Sequence, residues 1–168
     1  MELARAIGSK KNPLTPRVAV NRVWMNHFGA PIVRTPTDFG LRAEEPTHPE
    51  LLDHLSAYLI NRNWSLKTLH KYIMTSATYQ QSSEIRPKNM VVDGGNAYVW
   101  RMNRRRLDFE SFRDSMLQVS GSLDPTIGGA PFQILDTPYT MRRTVYSYID
   151  RQNLPALFRN FDFANPNM

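Results

Sequence analysis

The sequence predicts a mainly α-helical, irregular domain with a small β-hairpin or a short two- to three-stranded sheet. Three observations carry this. Apolar residues recur at helical spacing in four stretches, at about 16–28, 48–62, 66–79 and 109–120. Each stretch opens at a Thr, Ser or Asp suited to capping a helix. Strand-like patterning is confined to short segments at 97–102, 132–135 and 143–150.

The first helix follows the Asn12-Pro13 turn, with Thr15 as its expected cap and Pro16 at its first position. Val20, Val23, Trp24 and Phe28 repeat at i, i+3, i+4 and i+8 and form its core stripe. Asn21, Arg22 and Asn26 fall away from that stripe. Gly29 supplies the left-handed stop. His27 lies on the apolar side and reads as a hydrogen-bonded, half-buried histidine, with a functional role as the alternative. Upstream, Leu3, Ala4 and Ile7 form a short apolar stripe that reads as the end of a helix.

Thr47-His48-Pro49-Glu50 has the spacing of a capping box, and Leu51, Leu52, Leu55, Tyr58 and Leu59 line the helix behind it. Trp64 is placed to fold back onto that helix's last turn. Ser65 caps the next, whose stripe is Leu66, Leu69, Ile73 and Ala77. Residues 80–96 read as a polar connection bearing Pro and Gly. Alternation of Tyr98, Trp100 and Met102 predicts a strand. Asp108 caps a fourth helix that turns Phe109, Phe112, Met116 and Val119 inward, with Gly121 as its stop. The late segments at 132–135 and 143–150 read as paired strands around Asp136-Thr137-Pro138. Leu154, Leu157, Phe158 and Phe161 fit one last short helix.

At 168 residues the chain has the length of one domain, or of two small lobes sharing a core. Its 41% apolar fraction and 18 aromatics supply a buried interior. No apolar run approaches the ~18 residues of a membrane span, and no basic-then-apolar leader opens the chain. Cysteine is absent, which removes disulfides, thiolate metal sites and C-x-x-C-H haem attachment from this chain. The net charge of +6 rests on 16 Arg and only 5 Lys. Arginine favours bidentate and partly buried settings, so many of these side chains are expected to have fixed partners. Those partners are internal carboxylates or an external anion.

Several blocks taken together resemble a known family. They are N-P-L-T-x-R-V-x-V-N-R-V-W-x-x-H-F-G (Asn12 to Gly29), V-R-T-P-x-D-F-G (Val33 to Gly40) and H-P-E-L-L-D (His48 to Asp53). The longest, N-W-S-L-K-x-L-H-x-x-I-M-T-S-A-T-Y-x-Q-S-S, runs from Asn63 to Ser83. W-R-M-x-R-R-R-L-D (Trp100 to Asp108), R-D-S-M-L and F-D-F-x-x-P-N complete the set. The pattern is similar to the PSD-type domain, a domain of unknown function found in large exported proteins of planctomycetes and related bacteria. The resemblance implies an exported setting, periplasmic or extracellular, and other domains of the same polypeptide as partners. A haem-bearing cytochrome-c-like domain is then expected elsewhere in the full-length protein. It also implies a further C-terminal helical region, so residues 1–168 are expected to be a single domain that is a fragment of the family's unit. The family has no established catalytic residues to carry over.

The residues themselves offer no recognised catalytic motif. His27, His48, His54 and His70 form no H-E-x-x-H and no i, i+4 pair. No G-x-S-x-G elbow, P-loop or dinucleotide glycine pattern is present. A hydrolase built on scattered Asp and His, for example Asp38, His48 and Asp53 converging, stays open as an alternative. The physical oddity is Arg104-Arg105-Arg106 just before the helix that opens at Asp108. Three cations near the positive end of a helix dipole call for negative charge. Asp108, Glu110 and Asp114 can supply it. Otherwise Arg104, Arg105 and Arg106, joined by Arg142 and Arg143, form an anion site for sulfate, phosphate or an acidic polysaccharide. Nucleic acid is the weaker candidate, since no helix-turn-helix, zinc-finger or RNP pattern accompanies the basic charge. In the dense loop before Gly40, Arg34 and Asp38 are expected to join Asn21 and Arg22 in an internal polar network, with an Asp38–arginine pair buried beneath the first helix. The leading functional expectation is a non-catalytic binding or assembly module.

Overall fold

A computed structural model describes residues 1–150, 152–161 and 163. The chain is mainly helical and divides into two compact units, residues 1–104 and 105–168. All of the net charge belongs to the first unit. It holds 14 of the 21 Lys and Arg and 8 of the 15 Asp and Glu, whereas the second holds seven of each sign.

The first unit is built on α2 (Leu14–Phe28), α3 (Pro49–Asn61) and α4 (Leu66–Met74), preceded by α1 (Glu2–Ile7). The α2 stripe holds as expected: Val20, Trp24 and Phe28 are buried and Val23 packs on them. The cap differs. Asn12 Oδ1 accepts from the Leu14 amide at 2.9 Å, and the helix starts before Thr15. Thr15 instead donates its hydroxyl to the Ile7 carbonyl at 2.8 Å, tying α1 to α2. The α1 stripe stays outside the core, with Leu3 and Ile7 exposed. Gly29 takes φ 79 and returns its amide to Met25 at 2.8 Å, so a side chain there would be strained.

Past Gly29 the chain doubles back and buries Ile32 and Val33. Asn21 is fully buried against this segment, contrary to its expected place off the stripe. Its side chain accepts from the Val33 amide at 2.9 Å and donates to the Val33 carbonyl at 3.0 Å. It does for Val33 what a neighbouring strand would do.

The capping box at Thr47 and Glu50 does not form. His48 occupies the cap position without a side-chain cap bond, because Thr47 is held by Ile32, whose carbonyl accepts from both its amide and its hydroxyl. Leu52, Leu55 and Leu59 are buried as expected. Trp64 folds back with φ 60 and bonds its amide to the Leu59 carbonyl at 2.9 Å. The helix expected over 66–79 is two, α4 and α5 (Ala77–Gln80). The break has a local cause. The Thr75 hydroxyl bonds the Lys71 carbonyl, and Ser76 Oγ bonds the Ile73 carbonyl while accepting from the Tyr79 amide.

The connection at 80–96 contains α6 (Pro87–Val92). The strand expected over 97–102 is absent, since side chains capture the groups a ladder needs. Asp93 takes the Ala97 and Tyr98 amides, and Asn96 bonds the Arg101 carbonyl. Asn96 and Val99 both have positive φ, which a pleated strand excludes.

In the second unit, α7 (Phe109–Val119) and α8 (Ala156–Arg159) contribute Phe109 and Phe158 to a core completed by Ile134 and Leu154. Phe112, Met116 and Val119 were expected inward but are exposed. The hairpin over 132–150 is not seen among the described residues. There are isolated parallel bridges, Phe132 with Ser147 and Asp124 with Arg142, and a 3-10 turn at Thr144–Tyr146. Again side chains occupy the backbone. Arg113 donates to the Arg142 carbonyl and the Thr144 hydroxyl, and also to the Thr140 carbonyl, while Asp114 accepts from the Thr144 amide. The late F-D-F-x-x-P-N block falls partly outside the described residues.

Asp108 caps α7 as expected, accepting from the Ser111 amide at 2.6 Å. That hydrogen bonding, with Arg105 nearby, holds its carboxyl below the usual carboxylate range. A depressed pKa stabilises the fold above the unfolded value of about 3.9 and ceases to do so as pH falls through the folded one. Asp108→Ala is therefore expected to cost about 1 kcal/mol at neutral pH. In urea melts the gap from wild type should be constant above about pH 5 and close at lower pH.

Candidate functional site

The first unit contains a cavity of about 430 Å³. The first turns of α3 bring His48, Leu51, His54 and Leu55 to one side of it. The C-terminal end of α4 and the break behind it bring Tyr72, Ile73, Thr75, Ser76 and Thr78 to another. Trp24 lies at the core side, and Tyr98 and Val99 come from the loop after Asn96. No Asp, Glu, Lys or Arg lines it among the described residues. The lining is therefore apolar and aromatic, with hydroxyls and imidazoles as its polar groups. Such a surface takes a ring and orients it by a few hydrogen bonds.

Its polar groups are ordered. Tyr72 stacks on Tyr58 with centroids 4.3 Å apart and pairs its hydroxyl with His54 Nε2 at 3.0 Å. His48 Nδ1 lies 3.0 Å from Thr47 Oγ1. The Thr47 hydroxyl also reaches the Ile32 carbonyl, at 3.3 Å. Val99 has φ 52, an outlier for a β-branched residue. It is held there by its amide bond to the Asn96 carbonyl and by Gln81, which donates to the Val99 carbonyl at 2.7 Å.

A second, narrower cavity of about 170 Å³ shares Trp24, His48 and Val99 with the first. Arg34, Thr47, Asn96 and Asn103 also line it. His27, the half-buried histidine of the first motif, pairs its Nε2 with His70 Nδ1 at 2.7 Å and meets the Tyr79 ring edge-on. It joins α2 to α4 and lies outside both linings.

A family model for PSD1, a protein family of unknown function (DUF1553), matches residues 1–168. The chain belongs to the PSD1 family. No curated protein and no solved structure matches it.

The structure places the site residues of this PSD1 domain differently from the sequence expectation. Arg34 and Asp38 are exposed and are not a buried pair. Arg34 lies 3.9 Å from Glu44, and Asp38 turns its carboxylate to the Gly40 amide at 2.8 Å. A carboxylate two residues from an available amide closes a local turn instead of reaching beneath α2. Arg22 is exposed, and of the four network residues Asn21 alone is buried. Asp53 pairs with Arg17 at 2.7 Å and is not in the lining that contains His48.

Of the expected anion-binding arginines, Arg142 donates to the carbonyls of Ala130, at 2.8 Å, and Gly128. Its guanidinium lies 5.0 Å from the Tyr146 ring centre. Arg143 lies 3.6 Å from Asp114. Arg106 donates to the Asn160 carbonyl at 3.2 Å and covers Phe161. Arg104 and Arg105 are exposed. These partners fix Arg142 in the fold, which answers the arginine excess with internal acceptors at this position.

Sequence reasoning singled out neither Tyr72 nor Val99, weighed His54 only for a metal motif and read Tyr98 as a strand residue. The available signal was the Thr75-Ser76 pair, whose hydroxyls end α4 and open one side of the cavity. Among the described residues, no three His, Asp or Glu stand together to hold a metal ion, and no helix is long and apolar enough to cross a membrane.

Proposed function

We propose that this PSD1 domain is a non-catalytic binding module that holds the ring of a small organic ligand in the cavity between α3 and α4. The observation that carries the reading is the lining itself. A 430 Å³ space walled by rings, aliphatic side chains and hydroxyls, with no Asp, Glu, Lys or Arg among the described residues, is matched to an uncharged ring-sized group. Placing a charge there would strip its water without supplying a counter-charge. The positive φ of Val99 supports the same reading, since strained backbone is retained where a side chain must be aimed. The motif blocks' resemblance to domains of large exported proteins supports placing the module in such a polypeptide, beside other domains.

The test is calorimetric titration with 3-phenylpropionamide, a neutral ring compound. Wild-type protein is expected to bind it saturably. Thr78→Trp, at an exposed position of the lining, is expected to fill the cavity mouth and weaken binding at least about tenfold, with an unchanged melting temperature. Equal binding by wild type and variant would overturn the assignment of this cavity.

A further inference from the structure

We infer that the ligand of this domain carries an acidic group, and that Arg34 is the residue that reads it. The inference rests on the cavity assignment above and goes beyond it by naming the ligand class, a ring-bearing organic acid. The starting observation is that the two cavities adjoin at shared lining residues. Trp24, His48 and Val99 line both. They differ in composition. The larger has no Asp, Glu, Lys or Arg in its lining, whereas the smaller has Arg34 as the single such residue among those described.

The side-chain amides and the hydroxyl of the smaller cavity are already committed. Asn96 bonds the Arg101 carbonyl at 2.8 Å, Asn103 bonds the Phe28 carbonyl at 2.8 Å, and Thr47 holds Ile32 and His48. Arg34 differs from them. Its protein partner is Glu44 at 3.9 Å, with the two side chains 64% and 61% exposed, a pair too long and too wet to hold the guanidinium. A guanidinium presents a planar fork matched to a carboxylate, and an incoming acid displaces such a partner at little cost. The 170 Å³ volume suits a carboxylate and a short linker. A ring in the larger cavity with its acid in the smaller one lies along the residues that line both, Val99 with its left-handed turn among them. The first unit holds the chain's whole net charge of +6, which attracts such an anion before docking.

The experiment compares phenylacetate, 3-phenylpropionate and 4-phenylbutyrate with their amides by calorimetry on the full chain. At least one acid is expected to bind about tenfold or more tightly than its amide. Arg34→Gln is expected to abolish that difference while leaving amide binding unchanged, and Arg34→Lys to retain part of it. Arg42→Gln, an exposed arginine outside both linings, is expected to keep the full preference. Acids and amides binding equally, or an acid preference untouched by Arg34→Gln, would overturn the role of Arg34 while leaving the ring cavity standing. Loss of the preference in Arg42→Gln to the same extent would overturn it too, as diffuse charge attraction. Failure of every acid and amide to bind overturns the cavity assignment and this inference with it.

Discussion

Asn21→Ala is expected to destabilise the protein by about 3 kcal/mol and to lower its melting temperature by about 10 °C. The side chain is fully buried and satisfies both polar groups of Val33, itself 3% exposed. Alanine leaves a buried N–H and a buried C=O without partners, each costing about 1–3 kcal/mol. Asn21→Asp separates hydrogen bonding from lost volume, because its size is nearly the same. Aspartate can still accept from the Val33 amide, but its second oxygen then faces the Val33 carbonyl, and a carboxylate is brought into the core. It is expected to be at least as damaging as alanine. Urea denaturation of both variants checks this, and a loss below about 1 kcal/mol would contradict the role given to Asn21.

Arg142→Lys is expected to cost about 2 kcal/mol although the charge is kept. The guanidinium fork bonds two carbonyls, those of Ala130 and Gly128, while covering the Tyr146 ring. A lysine ammonium has no planar fork with which to serve both carbonyls and the ring at once. Gly129 belongs to the same arrangement. It has φ 88, and a methyl group built on it would stand 3.4 Å from Arg142 Nη2. Melting curves with and without sulfate distinguish this account from an anion site. A structural clamp gives a large drop in stability and the same increment from sulfate in wild type and variant. An anion site gives the reverse, with little loss of stability and a smaller sulfate increment.

The helices were legible because their signals are local. Val20, Trp24 and Phe28, or Leu52, Leu55 and Leu59, announce a buried face by spacing alone. Asp108 and Ser65 announce their caps by type and position, and both accept the amides expected of them. The β element was misread because alternation in 97–102 and 132–150 does not show where peptide groups pair. Asp93, Asn96, Arg113 and Asp114 take those peptide groups, and their partners are fixed only by the tertiary fold. Asn21 was placed off the core stripe for the same reason. Its partner, Val33, lies 12 residues on, across a turn whose path no periodicity encodes.

The cavity was the least legible feature. It draws on four segments, and its residues read separately as a core tryptophan, two helix stripes and a strand tyrosine. Arg34 stood out in sequence, but as half of a buried ion pair. The exposed loop instead lets Asp38 close its own turn and leaves Arg34 lining the smaller cavity.

The central claim is the location of the ligand, and side-chain NMR during a titration with 3-phenylpropionamide tests it most directly. The expected result is that shifts are concentrated on the rings of His48, His54, Tyr72 and Tyr98 and on the methyl groups of Val99, Leu51 and Ile73. The His27–His70 pair, outside the lining, should move little. Saturable shifts confined to other residues, with these rings and methyls unmoved, would contradict the claim.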